Sequence, residues 1–418
     1  MSSNKVYFYR NWIGFFILGT INNLPYVVVN SSAKVLSTSF GQANLVTLVM
    51  FSNVALGFVA KGANTLISTT SFPFWIRFIF NGCLMAAGLT GVILAPNFWI
   101  ALASIVLTGM SSSFGENLTL GFLSKFSKEH INAWSSGTGM AGVVGAVLYI
   151  ALSCIAEVTV VSGNHGNTVI DPDSTDYASK LKKINRFVFI GTLPIIVLYW
   201  GAYFILIKAP PAVKESNNEE TQPLQIQDKV SNNDPGVVAA ASGEGSFKRI
   251  LRCLKLSSWL IFNMIFVYFF EYTCRGFAAK SRPEEEFSIS ELQCPELYAS
   301  LQLCYQAGVF VSRSSVQLFQ IRQIHIFTLF QLINMIVWIL QAWWKFLPVY
   351  VLPSYMVFVG LLGGASYVNI FYLLRTDEKY PSSDRELCTN LVGMSISIGI
   401  LLGTGLPIPL FKTIFADK

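Results

Sequence analysis

Long apolar stretches alternate along the chain with short polar breaks, and the stretches are longer than a soluble core requires. Residues 187–207, FVFIGTLPIIVLYWGAYFILI, carry no charge and suffice for one helical crossing of a hydrocarbon layer roughly 30 Å thick. Residues 346–374 and 387–411 repeat the pattern. Residues 78–115 are charge-free for too long to form one helix, and Pro96-Asn97 supplies the turn between two. Apolar runs and breakers together predict helices over 11–30, 43–67, 74–95, 98–123, 131–155 and 184–207. A second set follows over 257–279, 297–316, 322–345, 349–374 and 386–411. Segment 297–316 stands apart, for it holds Gln302, Gln306, Ser312 and Arg313.

Composition turns this pattern into a class. Only 12% of the 418 residues are charged, where a soluble domain devotes about a quarter to charge because its surface must face water. The chain therefore reads as an all-α polytopic membrane protein of about eleven crossings whose outer surface faces lipid. Its first apolar run carries Asn22, Asn23 and Pro25 and lacks a small-residue cleavage site, so it reads as a retained helix rather than a signal peptide.

Basic residues near the helix ends give the orientation. Lys5, Arg10, Arg77, Lys125, Lys128, Lys248, Arg249, Arg252, Lys255, Arg313, Arg322, Arg375, Lys379 and Arg385 fall on one side of an eleven-crossing chain. That side is expected to be cytosolic, with a cytosolic N-terminus and a luminal C-terminus. The acidic stretches Asp171–Asp176 and Glu284–Glu286 fall opposite, while LKKINR at 181–186 runs against the rule. Residues 208–247 are rich in Pro, Glu, Asn, Gln and Ser and read as a disordered cytosolic linker. The chain thus divides into a six-helix bundle (1–207), a largely disordered polar linker (208–256) and a five-helix bundle (257–418). This 6+5 plan resembles a major-facilitator transporter with one crossing missing from its second half. No strong internal sequence repeat accompanies it.

Polar groups inside apolar runs are the candidates for function, because hydrocarbon does not tolerate them without protein or water around them. Glu116, in SSSFGENLTLGF, is either a coupling or substrate-organising acid or a paired structural one. Glu271 and Arg275 are four residues apart on one helical face, so they can pair; alternatively Arg275 receives an anion that Glu271 orients or exchanges for a proton. Tyr272, Tyr305 and Gln306 reinforce an anion site there. Arg313 reads as a binding cation or a cytosolic anchor, and Arg77, at a helix start, as an anchor. Asn22 and Asn23 precede Pro25, which suggests a broken helix facing a central cavity, or else an interhelical hydrogen-bond cluster. Tyr367 and Asn369 pose the same choice.

Small residues recur every fourth position at Gly137, Ala141 and Gly145, and again at Gly360 and Gly364. Such faces let helices pack closely and slide, or simply pack. His130, His165 and His325 have no metal-site spacing, the seven cysteines have none either, and no hydrolase or protease constellation is present. No cofactor, metal, catalytic group or nucleic-acid partner is expected. Asn30-Ser31-Ser32 and Asn117-Leu118-Thr119 match glycosylation acceptors, the second inside a predicted helix.

Several segments resemble battenin, the lysosomal membrane protein family associated with juvenile neuronal ceroid lipofuscinosis. They are RNWIGFFILGTINNLPYVV at 10–28, GENLTLGF from Gly115, WSSGTGMAGVVGA from Trp134, VYFFEY from Val267, CYQAGVFVSRSS at 304–315 and GLLGGASYVNIFY at 360–372. The resemblance implies a major-facilitator-like protein of eleven helices in a lysosomal, vacuolar or other acidic endomembrane, with a cytosolic N-terminus. It also implies export of glycerophosphodiesters from the lumen, with basic amino-acid transport and regulation of luminal pH or trafficking as alternatives. Glu116, Glu271, Tyr305, Gln306 and Asn369 carry the match. Two trafficking features depart from animal relatives: EETQPLQI at 219–226 is an imperfect acidic dileucine signal for adaptors, and the tail IFADK lacks a lipid-modification box. An endosomal, contractile-vacuole or Golgi membrane therefore also suits the chain.

Overall fold

A computed structural model describes residues 3–68, 72–123, 126, 128–157, 175–208, 246–282, 297–314 and 320–415. The linker from 209 to 245, Asp171 to Ser174, Glu284–Glu286, Cys294, His165 and the last three residues lie outside these.

Apolar length dictates the elements. In chain order they are α1 (Ser3–Ser39), α2 (Val46–Ala55), α3 (Gly57–Ser68), α4 (Phe74–Leu94), α5 (Phe98–Leu123), α6 (Lys128–Ala156), α7 (Thr175–Thr192) and α8 (Ile195–Gly201). After the linker come α9 (Ser246–Ala278), α10 (Leu297–Ser314), α11 (Ile324–Trp344), α12 (Val351–Thr376), α13 (Ser382–Gly405) and α14 (Pro407–Thr413). Among the described residues, 10 helical spans are long and apolar enough to cross a membrane. The remaining predicted crossing, 297–316, is helical as α10 but too polar to be counted with them. Its polar side chains face protein, and Gln302 is 1% exposed.

Breaks inside spans have local causes. Pro194 removes a backbone donor and crowds the preceding turn, so predicted helix 184–207 is α7, α8 and a π turn over Ala202–Leu206. Pro407 likewise separates α13 from α14. At the predicted 96–97 turn, the Asn97 side-chain oxygen accepts the Ile100 N–H at 3.0 Å and caps α5. α11 ends where Lys345 adopts φ 52°.

Two expectations need correction. Helix α1 is not broken at Pro25; it runs unbroken through 37 residues, because losing one internal hydrogen bond is offset by packing along its length. The linker does not extend to 256, since α9 begins at Ser246. Lys248, Arg249, Arg252 and Lys255 punctuate apolar positions there at helical rather than disordered spacing.

The packing carries a repeat that the sequence hides. In the first half α1 packs on α6, and α2 and α3 pack on α5. In the second half α9 packs on α13 and α10 on α12. With α10 counted as the second helix of its half, these are the first–fifth and second–fourth pairs in both. The halves meet through two seams of the same kind, α2 with α13 and α10 with α6. Such a repeat is the architecture of transporters built from related bundles.

The starts of α9 and α13 are locked by one acid. Asp384, 2% exposed, accepts Arg249 Nε at 2.9 Å and Arg252 Nη2 at 2.8 Å. Burial raises the Asp384 pKa, but the two guanidinium hydrogen bonds and charges outweigh it and hold the carboxyl below its ordinary value. Its stabilisation is therefore fully present above the unfolded carboxylate pKa of about 4 and is lost as pH falls through the lower folded value. Asp384→Asn is expected to cost about 1–2 kcal/mol, discounted because both arginines are half exposed. Thermal melts from pH 7 downward should show a constant gap between the two proteins that closes only below about pH 4. A gap that already changes between pH 7 and 5 would contradict this account.

Candidate functional site

Helical spacing builds the site. Tyr268, Glu271, Tyr272 and Arg275 follow at i, i+3, i+4 and i+7 along α9, so they share one face. All four are buried, Glu271 and Arg275 at 1% exposure each. The facing residues come from α10 (Gln302, Tyr305, Gln306, Arg313) and α12 (Gly363, Tyr367).

Glu271 and Arg275 form no salt bridge with each other; each turns to α10. Glu271 Oε1 accepts the Tyr305 hydroxyl at 2.5 Å, and its Oε2 has no hydrogen-bond partner. Arg275 donates Nε to Gln302 Oε1 at 2.9 Å. Its guanidinium lies between two rings, 4.6 Å from the centroid of Tyr272 and 4.5 Å from that of Tyr305, a cation–π sandwich. Nη1 and Nη2 of Arg275 and Nε2 of Gln302 are buried without partners. Buried polar groups are normally satisfied, but here three donors and one carboxylate oxygen are not.

The same pattern recurs towards the other end of α10. The Arg313 guanidinium sits 4.5 Å over the Tyr367 ring and reaches the Tyr268 hydroxyl at 3.5 Å, while its Nε has no partner. From the first half, the Tyr26 hydroxyl of α1 lies 3.5 Å from that of Tyr272, a distance too long for a strong bond. Gln306 rests against Gly142 of α6, where a Cβ would meet its amide. The Glu271 carboxylate rests against Gly363 of α12 in the same way.

Other candidates bond outside this cluster. Glu116 pairs with Lys61 of α3 at 2.7 Å, both partly exposed, and the pair stands within electrostatic reach of Tyr367. Asn22 donates to the Ser112 carbonyl at 2.9 Å and to Asn23 at 3.1 Å, and its oxygen accepts from Asn81 at 3.4 Å. Ser112 in turn donates to Asn23 at 2.8 Å. This is the interhelical cluster of α1, α4 and α5. Asn22→Leu removes its three hydrogen bonds from this cluster while Asn81 keeps Tyr199 and Asn23 keeps Ser112, and is expected to cost about 1–3 kcal/mol, measurable as a lowered melting temperature. Asn369 accepts the Ile321 N–H at 2.6 Å and donates to Ala365, fixing the chain entering α11. Asn30 is 2% exposed and accepts Asn53, so it is not presented as a glycosylation acceptor.

Sequence reasoning did not single out Gln302, Tyr26, Tyr268, Lys61 or Gly363 as members of a site. Gln302 was visible as a polar residue one turn before Tyr305, and Lys61 as a cation within an apolar span. Nothing in one sequence flags Gly363 over its neighbour Gly364. Among the described residues, no group of three His, Cys, Asp or Glu is placed to hold a metal.

The chain matches the CLN3 protein family over residues 13–416. It is 34% identical to Battenin of Dictyostelium discoideum, the alignment covering 98% of this chain and 96% of that protein. It is 27% identical to Battenin of Canis lupus familiaris over 98% and 92% respectively. In fold it is similar to the inward-facing, unoccupied bacterial homolog of the human lysosomal transporter Spinster. The TM-score is 0.57 and the identity 15%, over 98% of this chain and 83% of that one. With matches of this extent in sequence and the paired-bundle packing described above, the chain belongs to the CLN3 protein family and is a multi-pass membrane protein of major-facilitator-like fold.

Proposed function

We propose that this protein is a transporter that moves small polar, anionic metabolites out of a lysosomal or vacuolar lumen by alternating access, with glycerophosphodiesters as its foremost substrates. The observation that carries this reading is Arg275, a buried guanidinium with two unpartnered Nη groups, stacked between tyrosines beside unpartnered Gln302 Nε2. A planar guanidinium matches a phosphodiester in charge and geometry. Gln302 and the spare oxygen of Glu271 then serve hydroxyls on the glycerol or head group. The two seams, α2 with α13 and α6 with α10, are where the halves rock. In this reading the N-terminus is cytosolic, the C-terminus luminal, and the linker is available to trafficking adaptors.

Glu271 favours a proton as co-substrate, since one of its oxygens is held and the other is unpartnered in a buried site. The same oxygen is the one feature that favours a basic amino acid instead. Purified protein in vesicles distinguishes them: saturable uptake of glycerophosphoinositol or glycerophosphocholine, unaffected by excess lysine, is the expected result. Saturable lysine or arginine uptake without glycerophosphodiester flux would replace this reading with the amino-acid one.

A further inference from the structure

The basic run at 181–186 contradicts the charge rule that orients the rest of the chain, and the fold gives it a setting. We propose that the cleft between α1, α4 and α7 binds the phosphate of an anionic lipid headgroup from the non-cytosolic leaflet. Only the naming of the leaflet rests on the orientation given above; the site is independent of the transport route.

The cleft opens to the surface and is lined by Ser39, Phe40, Ala95, Lys182, Asn185 and Arg186 among others. Asn185 is 4% exposed, yet both its amide nitrogen and its oxygen lack a partner. A buried carboxamide left empty-handed is costly, and this one lines a cleft where a ligand can satisfy it. Lys182 reaches over the Phe40 ring at 4.9 Å, and Arg186, one residue from Asn185, is exposed. No acidic residue lines the cleft, and neither cation has an acidic partner among the described residues. Two positive charges and one amide donor are therefore left for an anion, with the amide oxygen free to accept a hydroxyl.

Position selects the source of that anion. The cleft lies where α1 ends and α4 stops, near Ser39 and Ala95, which is the membrane surface for helices of this kind. Leu94 and Ile190, on two of the lining helices, are 69% and 54% exposed, so acyl chains have apolar surface beside the charged mouth. Basic residues at the non-cytosolic end work against insertion in this orientation, and a leaflet phosphate gives them a counter-charge.

The test uses the full chain in phosphatidylcholine nanodiscs, with phosphatidylglycerol titrated in and retained lipid read by native mass spectrometry. Retention of phosphatidylglycerol over phosphatidylcholine is expected, falling at least tenfold in Lys182→Gln/Arg186→Gln and in Asn185→Leu. Lys183→Gln, exposed and outside the cleft, should retain lipid as the parent does. Size-exclusion elution identical to the parent establishes that each variant is folded, and Asn185→Leu replaces an unpaired amide by an apolar group of similar size. Equal retention of the two lipids, or preference that survives both sets of changes, would overturn the site. Inorganic phosphate alone raising the melting temperature with the same variant dependence would overturn the lipid as the source.

Discussion

Arg275→Met is expected to reduce glycerophosphodiester uptake by about two to four orders of magnitude while leaving a folded protein. The size follows from the two Nη groups, which carry no internal hydrogen bond and are free to make two charge-assisted bonds to substrate, worth about 1.5–3 kcal/mol each. Arg275→Lys keeps the charge but loses the planar fork and the ring sandwich, so it should recover only a small part of the flux. A purely structural arginine makes the opposite prediction for stability. Removing it together with Gln302, as Arg275→Met/Gln302→Leu, deletes both ends of one hydrogen bond and three unpartnered donors. The melting temperature of that double variant should equal or exceed the parent's, because exchanging a buried polar pair for apolar groups is neutral or stabilising. Uptake by Arg275→Met within twofold of the parent would remove Arg275 from the transport route.

The second large effect comes from a residue with no side chain. A methyl group at Gly363 would collide with the Glu271 carboxylate, which is held on its other side by Tyr305. Gly363→Ala must therefore push Glu271 away from Tyr305 or α12 away from α9. The expected cost is about 1–3 kcal/mol of stability, as for other overpacked cores, with at least a tenfold loss of flux. Glu271→Gln separates shape from charge. Its amide oxygen still accepts the Tyr305 hydroxyl, so folding and exchange should persist, while acceleration of uptake by a pH gradient should disappear. If the gradient still drives Glu271→Gln, the proton is carried elsewhere.

Much of the fold was legible because hydrocarbon imposes simple rules. The α5 bounds were read to the residue, since the Pro96-Asn97 turn opened the span and a basic segment closed it. Where a prolyl ring or tertiary packing decided the outcome, reading failed: Pro194 splits its span but Pro25 does not, and the difference lies in the neighbours, not in the local sequence. The paired-bundle repeat was invisible because it is a repeat of contacts among helices with unrelated side chains. Within the site, the spacing of Glu271 and Arg275 was legible. That they form no salt bridge was not, for it depends on Tyr305 and Gln302 arriving from α10. For Asn22, sequence offered two roles, and the partners Ser112 and Asn81 from other helices give its amide an interhelical bonding role.

The polarity of α10 has a consequence for how the protein is made. As the chain leaves the ribosome, Leu297–Ser314 arrives with Gln302, Gln306 and Arg313 and without α12, the helix against which it packs most extensively. Such a segment partitions poorly into lipid by itself, so it must wait beside the translocon, or be sheltered by α6 and α9, until α12 has been synthesised. Biogenesis of the second bundle is thus ordered by the same side chains that equip the site. Chains truncated between α10 and α12 should be recognised by quality control as incompletely inserted.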